Sequence, residues 1–536
     1  MSSTTQDQDP GLTSDPDAAL IAEGAPAEDR IVGRKLALIM GSLMLTMFLA
    51  AIDQTIVSVA LPRITSDLNG LSSLSWVVTA YLLASTASTP IWGKISDLYG
   101  RKIMLQISIV LFLLASFLAG ASQSMEWLII SRGLQGLGGG GIMVLAMASI
   151  ADVIPPRERG RYTGLFTSVF AFASVAGPLL GGFFVESLNW RWIFYVNIPL
   201  GIVALFVIGA VFNVPSERVK HKIDFLGAGL MVAGVSTLLL IAEWGGSKYD
   251  WGSSTILLMA AAALILLAIF VWHELRVEEP MVPMSLFRNP IFAVSSSIGF
   301  VVGLAMFGAI IFMPVFMQIV QGATPTQAGL KMVPMMAGMA SASITVGQLT
   351  SRLGRYKAFP IFGTAMAFTG MLLLSRIATE TPYWYLAVSL FVLGVGMGST
   401  MQVLVLSVQN SVHVKNVGVA TSGTTFFRSI GGTFGTAVFG AIMTTQLTKN
   451  IIETLPASTA KNLDVSQLTV AISKIDSLPD ALRSIVLNAY SSALGHVFLV
   501  AAPLLLIGFI LTLFLKEVRL SPLVGKEREF EPLPFD

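Results

Sequence analysis

Long apolar stretches, each separated from the next by a short polar connection, run along most of this chain. A helix that crosses a bilayer needs about 20 mostly apolar residues. Fourteen stretches meet that requirement: 35–62, 73–96, 102–121, 126–153, 162–187, 191–212, 222–244, 253–274, 290–319, 325–350, 357–377, 382–409, 418–445 and 490–515. The pattern predicts an all-α polytopic membrane protein. Residues 1–33 are polar, acidic and rich in Asp, Pro and Ala, with neither the basic start nor the apolar core of a signal peptide, and read as a disordered tail.

Basic residues near helix ends set the orientation. They gather after the even spans: Arg101 and Lys102; Arg157, Arg159 and Arg161; Arg218, Lys220 and Lys222; Arg352, Arg355 and Lys357. Arg34, Lys35, Lys516 and Arg519 flank the first and last spans. Both termini, including the tail 516–536, are therefore expected in the cytoplasm and the protein in the plasma membrane. The segment 446–489 falls outside despite its lysines, and its mixed polarity predicts short amphipathic helices or a hairpin.

Composition narrows the class. Charged residues are 12% and hydrophobic ones 54%, whereas a soluble domain carries about 25% charged residues. Soluble enzymes and nucleic-acid binders are excluded. With no cysteine and four scattered histidines, no metal centre is expected. Gly136 and Gly138 to Gly141 lack the Lys-Ser/Thr of a phosphate loop and lie within a span, so close packing is their expected role. No cofactor or ATP site is visible, which leaves an ion gradient as the energy source.

The chain repeats at an offset of 254 residues. Gly93-Lys-Ile-Ser-Asp-Leu-Tyr-Gly-Arg101 is echoed by Gly347-Gln-Leu-Thr-Ser-Arg-Leu-Gly-Arg355, and Gly177-Pro-Leu-Leu-Gly181 by Gly431-Gly-Thr-Phe-Gly435. Paired halves in an apolar protein point to a transporter with its path between them. Spans 1–6 (residues 34–213) and 9–14 (281–515) form the halves; spans 7 and 8 (214–280) are an inserted pair. The offset aligns Asp53 with Phe307, Arg132 with Leu386 and Asp97 with Ser351, so the glycines repeat and the charges do not.

Several motifs carry a resemblance. Gly93 to Lys102 resembles the signature between helices 2 and 3 of the major facilitator superfamily. Arg132-Gly-Leu-Gln-Gly136 resembles its intramembrane arginine motif, and Gly177-Pro-Leu-Leu-Gly-Gly182 the Gly-Pro motif of proton-coupled exporters. Asp53 to Pro62, Trp76 to Tyr81 and Asn189 to Pro199 are similar to fourteen-helix drug:proton antiporters of the QacA/EmrB type. The likeness covers residues 34–515. Ser58 departs from the family's usual Asn, and spans 9–14 lack a clearly intramembrane acid but carry Arg428.

Asp53 is the sharpest candidate. A carboxylate inside an apolar helix costs at least about 2.5–3.5 kcal/mol, and proton uptake relieves that cost. It lies nine residues before Pro62, about 13 Å from the outer end of span 1; Arg132 lies five residues after Trp127, about 8 Å from the outer end of span 4. The two are expected to meet, as a proton-coupling pair or as a static ion pair. Gly93 and Gly100 permit close approach and a tight turn. Asp97 can cap a helix N-terminus across the halves, and Arg101 can pair with Asp152, which together would latch an inner gate. Gly177, Pro178, Gly181 and Gly182 permit close packing and a bend; the resemblance implies control of leak.

Gln54, Tyr81, Gln135, Phe312, Phe316, Gln402 and Arg428 are the candidate substrate contacts, aromatic and amide groups suited to amphiphiles. Arg428 has three candidate partners: an anionic substrate, lipid phosphate or backbone carbonyls. Trp76, Gln318 and Gln409 are further polar or aromatic span residues. Met332, Met335, Met336 and Met339 share one side of span 10 and read as core or lipid-facing. Glu126, Glu186 and Glu243 read as solvated rim charges. The expected function is a monomeric, proton-coupled antiporter in the lipid bilayer that exports amphiphilic drugs or lipophilic metabolites; it is not an enzyme. Alternatives are a dedicated exporter of a lipid or anionic metabolite, or a non-transporting scaffold or sensor.

Overall fold

The computed structural model describes residues 33–68, 74–212, 224–246, 248–413, 416–454 and 480–520. In chain order the α-helices are α1 Gly33–Asp67, α2 Leu74–Tyr99, α3 Arg101–Gly120, α4 Met125–Val153, α5 Pro156–Ser187, α6 Trp192–Tyr195, α7 Asn197–Val211, α8 Phe225–Trp244, α9 Ser254–Glu274, α10 Pro290–Ile319, α11 Pro325–Lys331, α12 Val333–Leu353, α13 Ala358–Leu374, α14 Tyr383–Ser411, α15 Val417–Thr454 and α16 Asp480–Leu513. Helices α6 and α7 together make one crossing, as do α11 and α12, which gives the fourteen crossings the apolar pattern predicts. Eleven of the described spans are each long and apolar enough to cross a membrane.

Local chemistry sets the helix starts. The side chains of Ser124, Ser253 and Asn289 accept from Trp127, Ile256 and Ile291 N–H, and Thr324 with Gln327 forms a reciprocal cap on α11; each satisfies an otherwise orphaned donor. Gly100 and Gly354, equivalent under the repeat, both take positive φ (92° and 66°), so both signature turns need glycine.

Helices α1–α7 pack into one bundle and α10–α16 into another. The pair α8–α9 packs on itself and against α2 and α15. The bundles meet where α5 runs along α12 and α2 along α15. The α2–α3, α4–α5 and α12–α13 connections carry the basic clusters and lie at one end, termed the basic face.

Glycines set the closest approaches. A Cβ on Gly136 would collide with the backbone of Tyr81, and one on Gly140 with that of Ser85; in the second bundle Gly394 presses on Met335 and Gly398 on Met339 in the same way. Tyr81 and Met335 stand 254 residues apart, but Gly136 and Gly394 stand 258 apart. The longer connection before α14 shifts its register by about one turn. Arg132 therefore matches Leu390 rather than Leu386. Gly136→Val should cost about 1–3 kcal/mol through overpacking and lower the thermal midpoint in detergent. Gly133→Val, whose Cβ meets nothing within 4 Å, should not; equal behaviour of the two variants would refute this packing role.

Three boundaries differ from expectation. Helix α15 continues to Thr454 and α16 begins at Asp480, because Leu447, Ile451, Val486 and Ala489 bury an apolar stripe. The predicted outer segment shrinks to 455–479, outside the described residues, as are 1–32 of the tail. Residues 516–520 are folded, not free: Glu517 accepts from Tyr356 N–H, Tyr356 Oη donates to Lys516 O at 2.9 Å and Leu520 N–H donates to Gly354 O at 3.1 Å.

Candidate functional site

A polar cluster sits inside the first bundle. Asp53 comes from α1, Ser116 from α3, Arg132 and Gln135 from one face of α4 (i, i+3), and Asn197 from the first turn of α7. Arg132 Nη1 donates to Asp53 Oδ2 at 2.5 Å and to Gln135 Oε1 at 2.7 Å. Gln135 Nε2 and Asn197 Nδ2 both donate to Asp53 Oδ1, at 2.8 and 3.0 Å, and Gln135 also donates to Ser116 Oγ at 2.7 Å. Asp53 has no exposed surface and Arg132 is 1% exposed.

Such a pair persists only because its partners compensate for lost hydration. Arg132 is held beyond the ion pair. Its Nε donates to Val77 O at 3.1 Å. Its guanidinium lies 4.3 Å from the Tyr81 ring centre and 5.9 Å from that of Phe194, a cation–π arrangement. Two polar atoms here are left over: Asn197 Oδ1 and Tyr81 Oη are buried without a hydrogen-bond partner.

The second cluster closes the basic face. Asp97, in the last turn of α2, accepts from Gly418 N–H and Val419 N–H at 3.1 and 3.0 Å, capping α15 of the other bundle where the helix dipole favours an anion. Arg101 bridges Asp97 Oδ1 at 2.9 Å and Asp152 Oδ2 at 2.5 Å. Gly93 lets α2 approach Gly418 and Ser422 closely. The repeat copy joins the bundles more weakly. Gly347 presses on Gly160, and Ser351 Oγ accepts from Arg161 N–H at 3.2 Å. A neutral hydroxyl stands where the first copy has a carboxylate.

In the Gly-Pro motif, Gly177 packs on Thr55 of α1, and Thr55 Oγ1 donates to Ala173 O at 3.1 Å. Gly181 is buried. A Cβ on Gly329 would lie 3.3 Å from Pro178 Cβ, and one on Gly182 3.7 Å from Thr326 Oγ1, so this motif faces both α1 and the opposite bundle. Helix α5 remains continuous through Pro178.

The expected substrate contacts scatter. Tyr81 and Gln135 are buried in the Asp53–Arg132 cluster, and Gln54, beside Asp53 on α1, is half-buried. Phe316 is fully buried in the second bundle's apolar core, and Met332, Met335, Met336 and Met339 are buried in the same core; a helix apolar on all sides gives no sequence cue to which face meets a cavity. Phe312 is half-buried near Gly440. Gln402 reaches across the bundle interface to Thr167, and Gln409 to Met147 O at 3.4 Å. Gln318 bonds its own helix at Pro314 O. Trp76 stacks edge-on against Trp244 of the inserted pair. Glu126 is exposed and Glu243 half-buried; the Glu186 side chain lies outside the described residues. Arg428 lines a small cavity in the second bundle.

The residue pattern alone does not single out Asn197 and Ser116 as cluster members. For Asn197 a signal exists, an amide within an apolar span just before Pro199. Ser116 offers none, since a serine can satisfy itself on its own helix.

Helices in two bundles, with a charge cluster inside one and a cross-bundle latch at one face, define a multi-pass membrane transporter. The Major Facilitator Superfamily matches residues 43–436, and the chain belongs to it. It is 41% identical over 484 residues to an uncharacterised MFS-type transporter of Mycobacterium tuberculosis, covering 90% of this chain and 70% of the relative. It is 39% identical over 511 residues to the multidrug transporter protein MdtP of Bacillus subtilis, covering 91% and 94%. The human organic anion transporter MFSD10 superposes with a TM-score of 0.60 at 14% identity, covering 90% of this chain and all of that one; that likeness shows the fold alone.

Proposed function

We propose that this chain is a proton-coupled antiporter of the fourteen-helix QacA/EmrB type. It exports amphiphilic drugs or lipophilic metabolites across the plasma membrane as a monomer, with its basic face and both termini in the cytoplasm. The observation that carries the reading is a carboxyl group, Asp53, sealed from water in a cluster able to hold two charge states.

When Asp53 takes a proton, Arg132 loses its acid partner but keeps Gln135 Oε1, Val77 O and the Tyr81 ring. The new O–H needs an acceptor, and the unpaired Asn197 Oδ1 supplies one once that amide turns. Exchange with water requires a different arrangement of the bundles, because Asp53 is fully enclosed in this one. Helix α1 bonds α5 through Thr55, and α5 runs along α12 of the other bundle. A change at Asp53 thereby reaches the surface on which the bundles rock, and the Asp97–Arg101–Asp152 latch holds the basic face shut in one state.

The test is purified protein in vesicles with an imposed pH gradient. A lipophilic dye should accumulate against its own gradient, and a protonophore should abolish the accumulation. Dye movement that is the same with and without the gradient would rule out proton coupling.

A further inference from the structure

Arg428 is the cation at mid-membrane in the second bundle. It lies eleven residues into α15, about 16 Å along the helix, near the centre of an apolar slab about 30 Å thick. From residue 290 to 454 the only acids are Glu380, in the α13–α14 connection, and Glu453, in the last turn of α15. Among the described residues the half-buried Arg428 has no side-chain hydrogen bond or ion pair. Arg132, by contrast, has a carboxylate, an amide, a carbonyl and an aromatic ring.

The fold does not need a charge here. Position 428 corresponds through the 254 offset to Ser174 on α5, whose hydroxyl simply donates to Phe170 O at 3.0 Å. On this helix pair the offset is read from the sequence, where Gly177 and Gly181 of α5 align with Gly431 and Gly435 of α15. The neighbours make room for the arginine. Gly303 of α10 lies against its backbone, and a Cβ there would be 3.3 Å from Arg428 Cγ; one on Gly299 would be 3.8 Å from its Cβ. The cavity beside it is walled by Val302 of α10, by Met401, Leu404 and Val405 of α14, and by Thr424. Arg428 and an apolar wall thus share one cavity, a pairing that complements an amphiphile of opposite sign. A guanidinium binds a carboxylate, sulfonate or phosphate bidentately through its planar fork.

We propose that Arg428 seats the anionic head of an amphiphilic ligand, whose apolar body lies along Val302, Met401, Leu404 and Val405. In the arrangement described the cavity measures about 10 Å³, the size of one water, so the ligand enters only in another arrangement, in which α10 and α14 part within their own bundle. This inference rests on the export function proposed above and adds the substrate's charge class.

The test uses wild type, Arg428→Gln and Arg428→Lys in vesicles of zwitterionic phosphatidylcholine. Three fluorescent amphiphiles serve as probes: anilinonaphthalene sulfonate, neutral Nile red and cationic rhodamine 6G. Wild type should transport the sulfonate under a pH gradient. Arg428→Gln should lose that transport at least tenfold while moving Nile red within twofold of wild type, and Arg428→Lys should retain part. Equal loss for all probes, or an unchanged sulfonate rate in Arg428→Gln, would overturn the proposal. Equilibrium binding of the sulfonate in neutral detergent is read in parallel. If no probe is transported, the export reading fails, but a tenfold binding loss in Arg428→Gln still supports the anion seat and equal binding still overturns it. Adding phosphatidylglycerol distinguishes the source of the anion: suppression of sulfonate binding in wild type alone assigns the seat to a lipid head, and no suppression assigns it to a free amphiphile.

Discussion

Asp53→Asn is expected to reduce gradient-driven transport to the level of empty vesicles while leaving the protein folded. Asn is isosteric, and its Oδ1 can still accept from Arg132, so the geometry of the cluster survives. What disappears is the ability to change charge. Passive exchange of dye across the membrane should persist, because Asn mimics the protonated acid. A static ion pair between α1 and α4 predicts the reverse: lower stability with coupling intact. Measuring thermal midpoint and gradient-driven accumulation on the same preparation separates the two, and wild-type coupling in Asp53→Asn would remove Asp53 from the proton path. Asp53→Leu is the contrasting case. It strands Arg132 beside a carbon side chain, and breaking a buried pair in this way costs about 3–5 kcal/mol, enough to prevent recovery of folded protein.

The second large effect falls on Arg101. Arg101→Ala leaves Asp97 and Asp152, 5% and 20% exposed, without their shared cation. The expected outcome is a lower thermal midpoint and loss of transport, with part of the stability returned by adding Asp152→Asn. Arg101→Lys is the informative variant. It preserves the positive charge that would orient the chain, but an ammonium is a point charge without the planar fork that spans two carboxylates. Transport should therefore fall severalfold in Arg101→Lys although the protein inserts correctly. A lysine variant with wild-type transport would reduce Arg101 to a topological charge and remove it from the latch.

Much of this arrangement was legible in residue order. The depth of Asp53 and Arg132, counted from their helix ends at 1.5 Å per residue, placed them within about a turn of each other, and they are bonded. Asp97 was expected to cap a helix across the bundles and does so at Gly418 and Val419. The substrate contacts were not legible. Tyr81, Gln135 and Phe316 look no different in sequence from cavity residues, because a membrane helix is apolar toward lipid and core alike. The repeat register also misled at Arg132, since the added turn before α14 is invisible without its glycine contacts.

The sequence by itself determined how many times the chain crosses, that it is duplicated, and that the intramembrane acid belongs to the first half. These are one-dimensional properties: the length of an apolar run, the recurrence of a glycine motif and the presence or absence of an acid. Only the tertiary structure decided which polar groups complete the cluster around Asp53, that Asn197 is left with an unspent acceptor, and that among the described residues Arg428 has no partner while Arg132 has several. Those depend on which faces of helices far apart in sequence are pressed together, and a bilayer that is equally apolar on every side leaves that choice to packing.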